Sequence, residues 1–459
     1  MRNYQRQIVF VFVAACLLSI LPDEALPQCK VEPNAEKTGK ILKEIKIAKK
    51  EKPDVNAEFA LTLKVSVKGA SWQKADAEAA VLTVFVDGKY NQDAILFAGE
   101  DVFEYRMSLG KFDLNEHKIT IVLNQTRSAP NARNVRIHSA FAFANEDFIA
   151  AAKGAKSSIP DYIAIINAPV IYLRPDTIDK FSDIPLLTYY EIFDEPQNVK
   201  RIRYTTIFTN EDGGTQSAAL MARWGRMTDI EWVYEIRLNE KGVILSAIYQ
   251  AANHETKTFN GRRVFGNHPL LFDATINNNF ADTGCSPLRV SPLLVKANLA
   301  DGSRETVMDA FPWTYQIMAR EALREGRVNK LNLGANTIAD PRDYLYAEIY
   351  SEPENAAINV ETETFGGEKF TSDAGNKSLR VNRRGFARIA LRAPQNRAGM
   401  FPKTIKIGCY ATAENSASDG VCRNARLIKL IRLDRNYLPV IKNIGAASRN
   451  IKSGEKAIF

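Results

Sequence analysis

Asp229, Glu231 and His254 are the tightest set of potential metal ligands or acid/base groups in the sequence. Alternate residues of an extended strand leave on the same side, roughly 7 Å apart at their bases, so Asp229 and Glu231 would face one region. A divalent ion between them would offset their repulsion. Without one, a cleft holding both would raise the pKa of at least one, the condition for general acid or base work. Oxygen ligands suit calcium or magnesium, whereas His254 would tilt the site towards a transition metal. The competing reading is an amphipathic surface strand whose acids face water and hold nothing.

The element that must position these groups is a β-hairpin. Over residues 228–237, Ile230, Trp232, Tyr234 and Ile236 fall on one face and Asp229, Glu231, Val233, Glu235 and Arg237 on the other. That period of two predicts a strand. Residues 239–242 predict a polar turn and 243–249 an apolar return strand. Antiparallel pairing would return the chain, and His254 just beyond it, to the level at which the first strand starts.

Gly225-x-x-x-Asp229-x-Glu231, followed by strand, turn, strand and a histidine, is similar to the G-H-R-H-D-W-E motif of necrosis- and ethylene-inducing peptide-like proteins. It also resembles the G-D-W-E motif of a vacuolar-sorting-associated domain family, in which the next strand ends near Tyr-Ser-x-His. Tyr249-Gln250-Ala251-Ala252-Asn253-His254 stands in that place, and residues 186–190 resemble that family's upstream Leu-Thr-Tyr-Trp strand. His268-Pro269-Leu270-Leu271-Phe272, with Asn279 downstream, resembles its later strand. The likeness spans residues 169–282. It implies a β fold, and by the necrosis-inducing motif it implies Asp229 and Glu231 as cation ligands. Arg226 and Thr228 stand where that motif has histidines, and Ile230 where it has tryptophan.

The N-terminus sets the expected compartment. Arg2 and Arg6 precede an apolar run over residues 8–21, ended by Pro22, Asp23 and Glu24. This reads as a signal peptide over residues 1–28, the run being shorter than the ~20 residues of a membrane-spanning helix. A second reading of the same segment is a lipoprotein box at Val13-Ala14-Ala15-Cys16. Cleavage would remove two basic and two acidic residues and keep the net charge of +8. That charge is modest for the length and spread over solvated faces, so nucleic acid is not an expected partner. An extracellular glycan or a lipid headgroup is. In an oxidising compartment, Cys409 and Cys422, flanking a turn-rich loop between two strand-like runs, predict a local disulfide. Cys29 and Cys285 are the remaining pair.

With 459 residues, 45% hydrophobic and 25% charged, the chain has a globular composition and a length for about three domains. The predicted fold class is mainly β: an immunoglobulin-like sandwich over 29–150, a central β-sandwich with a short helix over 160–335, a C-terminal β-sandwich over 340–438 and a flexible tail over 439–459. The clearest helix is 313–324, stopped by Gly326. Trp72, Tyr90 and Tyr105 would line a sugar-binding face or, more simply, pack in the core; His117 and His138 read as structural. There is no G-x-S-x-G elbow, H-E-x-x-H helix or G-x-x-x-x-G-K loop, so serine hydrolase, zincin and nucleotide-binding readings find no support. The expected function is divalent-cation-dependent binding of a cell-surface glycan or lipid headgroup. The alternatives are a hydrolase of an extracellular polymer, with Asp229 or Glu231 as base, and a spacer protein without ligand.

Overall fold

The computed structural model describes residues 38–48, 56–144, 159–211, 213–329, 334–363, 367–394, 401–402, 404–412 and 420–459, and all that follows concerns these. The signal segment expected over 1–28, with Cys16, and Cys29 after it lie outside them.

The fold is mainly β. The N-terminal part contributes β1 (Gly39–Ile47), β2 (Ala57–Lys68), β3 (Val81–Val86), β4 (Lys89–Ile95), β5 (Phe103–Phe112), β6 (His117–Asn124) and β7 (Asn134–Ala144). They form an antiparallel sheet of order β1-β6-β3-β4 and another of order β5-β2-β7. Alternation along β2 sends Leu61, Leu63 and Val65 into the same apolar cluster as Leu82 and Val84 of β3 and Ile119 and Ile121 of β6. The segment before β2 supplies β1, whose Leu42, Ile45 and Ile47 lean on this core while Lys43, Glu44 and Lys46 keep the edge wet. Trp72, Tyr90 and Tyr105 are all buried, so they pack rather than line a surface.

The central part begins with α1 (Ile159–Ile166), β8 (Val170–Tyr172), α2 (Pro175–Lys180), β9 (Pro185–Glu195), β10 (Val199–Phe208), α3 (Ser217–Trp224), β11 (Ile230–Leu238) and β12 (Ile244–Gln250). It continues through β13 (Thr256–Thr258), β14 (Arg263–Val264), β15 (His268–Asp273), β16 (Phe280–Ala281), β17 (Arg289–Val290), β18 (Leu293–Lys296), α4 (Thr306–Ala310) and α5 (Trp313–Arg324). One sheet has the order β13-β12-β11-β10-β9-β18; the other has the order β14-β15-β8-β17, with β16 on β15. Both are mixed, because β18 runs parallel to β9 and β15 parallel to β8. The expected helix forms over Trp313–Arg324, and Gly326, at φ 69°, closes it with bonds from Gly326 N–H to Leu323 and from Arg327 N–H to Ala322.

The C-terminal part comprises β19 (Tyr344–Glu354), β20 (Ala356–Glu363), β21 (Lys369–Thr371), β22 (Gly385–Arg392), β23 (Ile405–Ala411), β24 (Val421–Leu433), β25 (Pro439–Asn443), β26 (Arg449–Lys452) and β27 (Lys456–Ile458). Sheets of order β22-β19-β24-β25 and β21-β20-β23-β27 enclose Leu345, Ile349, Ile358, Ile389, Ile407 and Leu427. The segment from Pro439 onward, expected as a flexible tail, instead supplies β25 and β26 to the β24 sheet and β27 to β23. Lys377–Leu379 form a single 3-10 turn, after which Val381 makes an isolated bridge to Ile358. The predicted disulfide joins Cys409 to Cys422, and Cys285 is disulfide-bonded as well.

These parts share cores. Phe97 stacks on Trp313 at 5.2 Å within an apolar cluster that runs from β2 to β12, and a second cluster joins Tyr189 and Met318 to Tyr346 and Ile431. Among the described residues no helix is long and apolar enough to cross a membrane.

Candidate functional site

Asp229 immediately precedes β11, the central sheet's third strand from the β13 edge, and Glu231 is its second residue. Their shared side follows from register: Thr206 of β10 faces Glu231, and Phe208 N–H donates to the Asp229 carbonyl at 2.9 Å. The simple alternation stops there. Tyr204 pairs with Tyr234 but Thr205 with Trp232, so Val233 is an extra residue in β11. This bulge transfers Tyr234 and Ile236 to the face of the acids, and moves Glu235 and Arg237 to the face of Ile230 and Trp232. Tyr234, Ile236 and Leu238 thereby join the core with Tyr204, while Glu235 takes Arg201 and Arg203 at 3.0 and 2.7 Å. A polar row crosses the sheet: Thr188 meets Thr206 at 2.9 Å, and Gln250 Nε2 donates to Glu231 Oε2 at 2.6 Å.

Asp229 is 1% exposed and Glu231 is partly buried, so neither lies on a wet surface. A third carboxylate, Glu211 in the loop after β10, joins them and takes the Thr215 N–H at 2.6 Å. Burial, then the charge of Glu231, pushes the Asp229 carboxyl up to about 7; burial, then the charge of Asp229, does the same for Glu211. Glu231 is raised by burial as well, opposed by the Arg304 guanidinium. On the far side of Asp229, Asn278 Nδ2 donates to Asp229 Oδ2 (2.9 Å) and to Asp183 Oδ1 (2.7 Å), and Arg174 holds Asp183 at 2.8 Å. Asp273, at the end of β15, lies 3.6 Å from Arg174 Nε with neither carboxylate oxygen hydrogen-bonded. The Asn278 Oδ1 atom is also buried without a donor.

His254 does not enter this cluster. It is exposed, at φ 58° in the turn after β12, and contacts asparagines rather than acids. Its Nδ1 lies 3.4 Å from Asn279 Nδ2. In the amide orientation that satisfies its neighbours, Asn277 accepts from His254 Nε2 at 3.1 Å and donates to Glu211 Oε1 at 3.1 Å. The predicted triad of Asp229, Glu231 and His254 is therefore a pair plus a rim residue, connected through the loop 274–279. Among the described residues no group of three or more His, Cys, Asp or Glu side chains is assembled to hold a metal ion. The loop that does the connecting was visible in the sequence as Asn277-Asn278-Asn279. Glu211 was not, because a lone acid in a turn carries no periodic signal.

The motif glycine has a local role. Gly225 ends α3 at φ 60°, and a Cβ there would lie 2.6 Å from Arg388 Cγ. Arg226 then pairs with Glu305 at 2.9 Å and comes within 3.9 Å of Asp229. Arg304 donates to the Ile230 carbonyl at 2.6 Å, so two guanidiniums border the acids.

No family model matches the chain, and no curated protein does. Among solved structures it is similar to one described as the EclA C-terminal domain, a sugar-binding protein, at 17% identity, over 23% of this chain and 69% of that one, with a TM-score of 0.18.

Proposed function

We propose that this is an exported binding protein in which Asp229 and Glu231 hold a hard divalent cation, calcium or magnesium, whose remaining oxygens come from water and ligand. The rim of His254, Asn277 and Asn279 then receives a glycan or a lipid headgroup. The observation that carries the reading is a surplus of buried acceptors: Asn278 Oδ1 has no donor and Asp273 is met only by Arg174, 3.6 Å away, beside an already repelling set of carboxylates. Carboxylates and amide carbonyls are the donor set of calcium sites, and hydroxyl or phosphate oxygens of a ligand complete such a shell. The Cys409–Cys422 disulfide supports the exported compartment. Burial of Asp229 weighs against the hydrolase alternative, since a base must reach the proton that it abstracts.

The test is metal analysis of the purified full chain, followed by melting with calcium, magnesium or chelator. Bound ion and a melting temperature raised several degrees by one cation, lost in Asp229→Asn, are expected. A chain without bound ion, indifferent to both cations, is the spacer of the third reading. Glycan and vesicle screening of wild type against Asp229→Asn then tests the rim.

A further inference from the structure

We propose that Arg223, Trp224 and Arg383 form a binding site for a phosphate-type oxyanion, separate from the carboxylate cluster. Arg223 and Trp224 are the last two residues of α3, and Arg383 lies just before β22. Both guanidiniums sit against the Trp224 ring, at 4.8 and 5.1 Å from its centroid, and all three side chains are only partly exposed. Arg383 Nη2 donates to the Arg223 carbonyl at 2.6 Å, which ties the two elements together.

Two donors remain. Arg223 Nε and Arg383 Nη1 are buried with no acceptor. Glu305, the acid whose charge acts on Arg383, is already engaged by Arg226 at 2.9 Å. Among the described residues neither Arg223 nor Arg383 forms an ion pair. Burial, together with the charges of Arg226, Arg304 and Arg223 and against that of Glu305, lowers Arg383 to about 10, so it remains a cation at neutral pH. Two neighbouring guanidiniums, each with a buried N–H that lacks an acceptor and neither in an ion pair, are matched by an anion presenting at least two oxygens, which phosphate does bidentately. The aromatic ring fixes their spacing through cation–π contact. A free phosphate and a phospholipid headgroup present the same group.

The full chain, held in chelator so that no cation bridges the anion, is titrated with inorganic phosphate and, separately, with phosphatidylglycerol vesicles, following tryptophan emission and calorimetric heat. Saturable binding to either is expected, weakened at least tenfold in R223Q/R383Q with an unchanged far-ultraviolet spectrum. Phosphate binding assigns a free oxyanion, and vesicle binding alone assigns the headgroup. Should the double variant fail to fold, R383K serves, because lysine keeps the charge and loses the fork; it also is expected to weaken binding. No binding to either probe, or equal binding by the variants, overturns the proposal.

Discussion

At the scale of single residues, Asp229 is one of several buried carboxyls, with Glu211, Asp273 and Glu321, that set how the central part responds to pH. In the unfolded chain its carboxyl titrates at about 4, and in the fold at about 7, as does Glu211. The folded state therefore binds more protons than the unfolded one between these values. Stability is greatest at the acid end of that window and falls as pH rises towards 7, by at most ~1.4 kcal/mol per pH unit for each proton. In chelator, wild type is expected to melt at progressively lower temperature from pH 5 to pH 8. Asp229→Asn keeps an acceptor for Asn278 and is expected to flatten this slope; an unchanged slope would place the titration elsewhere. A bound divalent cation would oppose the trend, since it favours the charged carboxylates.

At the scale of elements, two glycines with similar backbone angles separate conformational strain from close packing. Gly326, at φ 69°, has nothing within 4 Å of a would-be Cβ, whereas Gly225, at φ 60°, abuts Arg388. Gly326→Ala is expected to cost about 1 kcal/mol and Gly225→Ala on the order of 2–3 kcal/mol. Urea midpoints at constant m-value measure both. Equal costs would mean that α3 shifts on β22 without resistance. The β11 bulge belongs to this scale too: one extra residue lets the same strand aim acids inward at its start and tyrosine and isoleucine inward afterwards.

At the scale of the molecule, the parts are locked by buried polar ties across their boundaries. Trp72 Nε1 donates to Glu321 at 2.8 Å, His268 meets Glu58 at 2.9 Å, and Arg388 on β22 reaches Asp309 of α4 at 2.8 Å while pairing with Glu348 at 2.8 Å. Arg388 is fully buried, so Arg388→Ala would leave carboxylates uncompensated, at a cost of about 3–5 kcal/mol. Hydrogen exchange is expected to show the loss in β19, β22 and α4, with β2 of the N-terminal sheets unchanged. A uniform loss would show that the whole chain unfolds as one unit.

Local patterns in the sequence determined most strands, the 313–324 helix with its glycine stop, the hairpin carrying Asp229 and Glu231, and the Cys409–Cys422 bridge. Each of these rests on neighbours within a few residues or one turn, where periodicity and turn chemistry act directly. The fate of residues 39–47 and 439–459, polar stretches that pair only with strands far away in sequence or across a loop, was decided by tertiary contacts. So was the bulge at Val233, which a register with β10 imposes, and so was the company of Asp229. Glu211, Asp183, Asp273 and Asn278 approach it from four separate loops and strand ends, and His254 stays outside because the asparagine loop occupies the space between. Which side chains share a low-dielectric interior depends on how sheets stack, and no spacing along the chain encodes that.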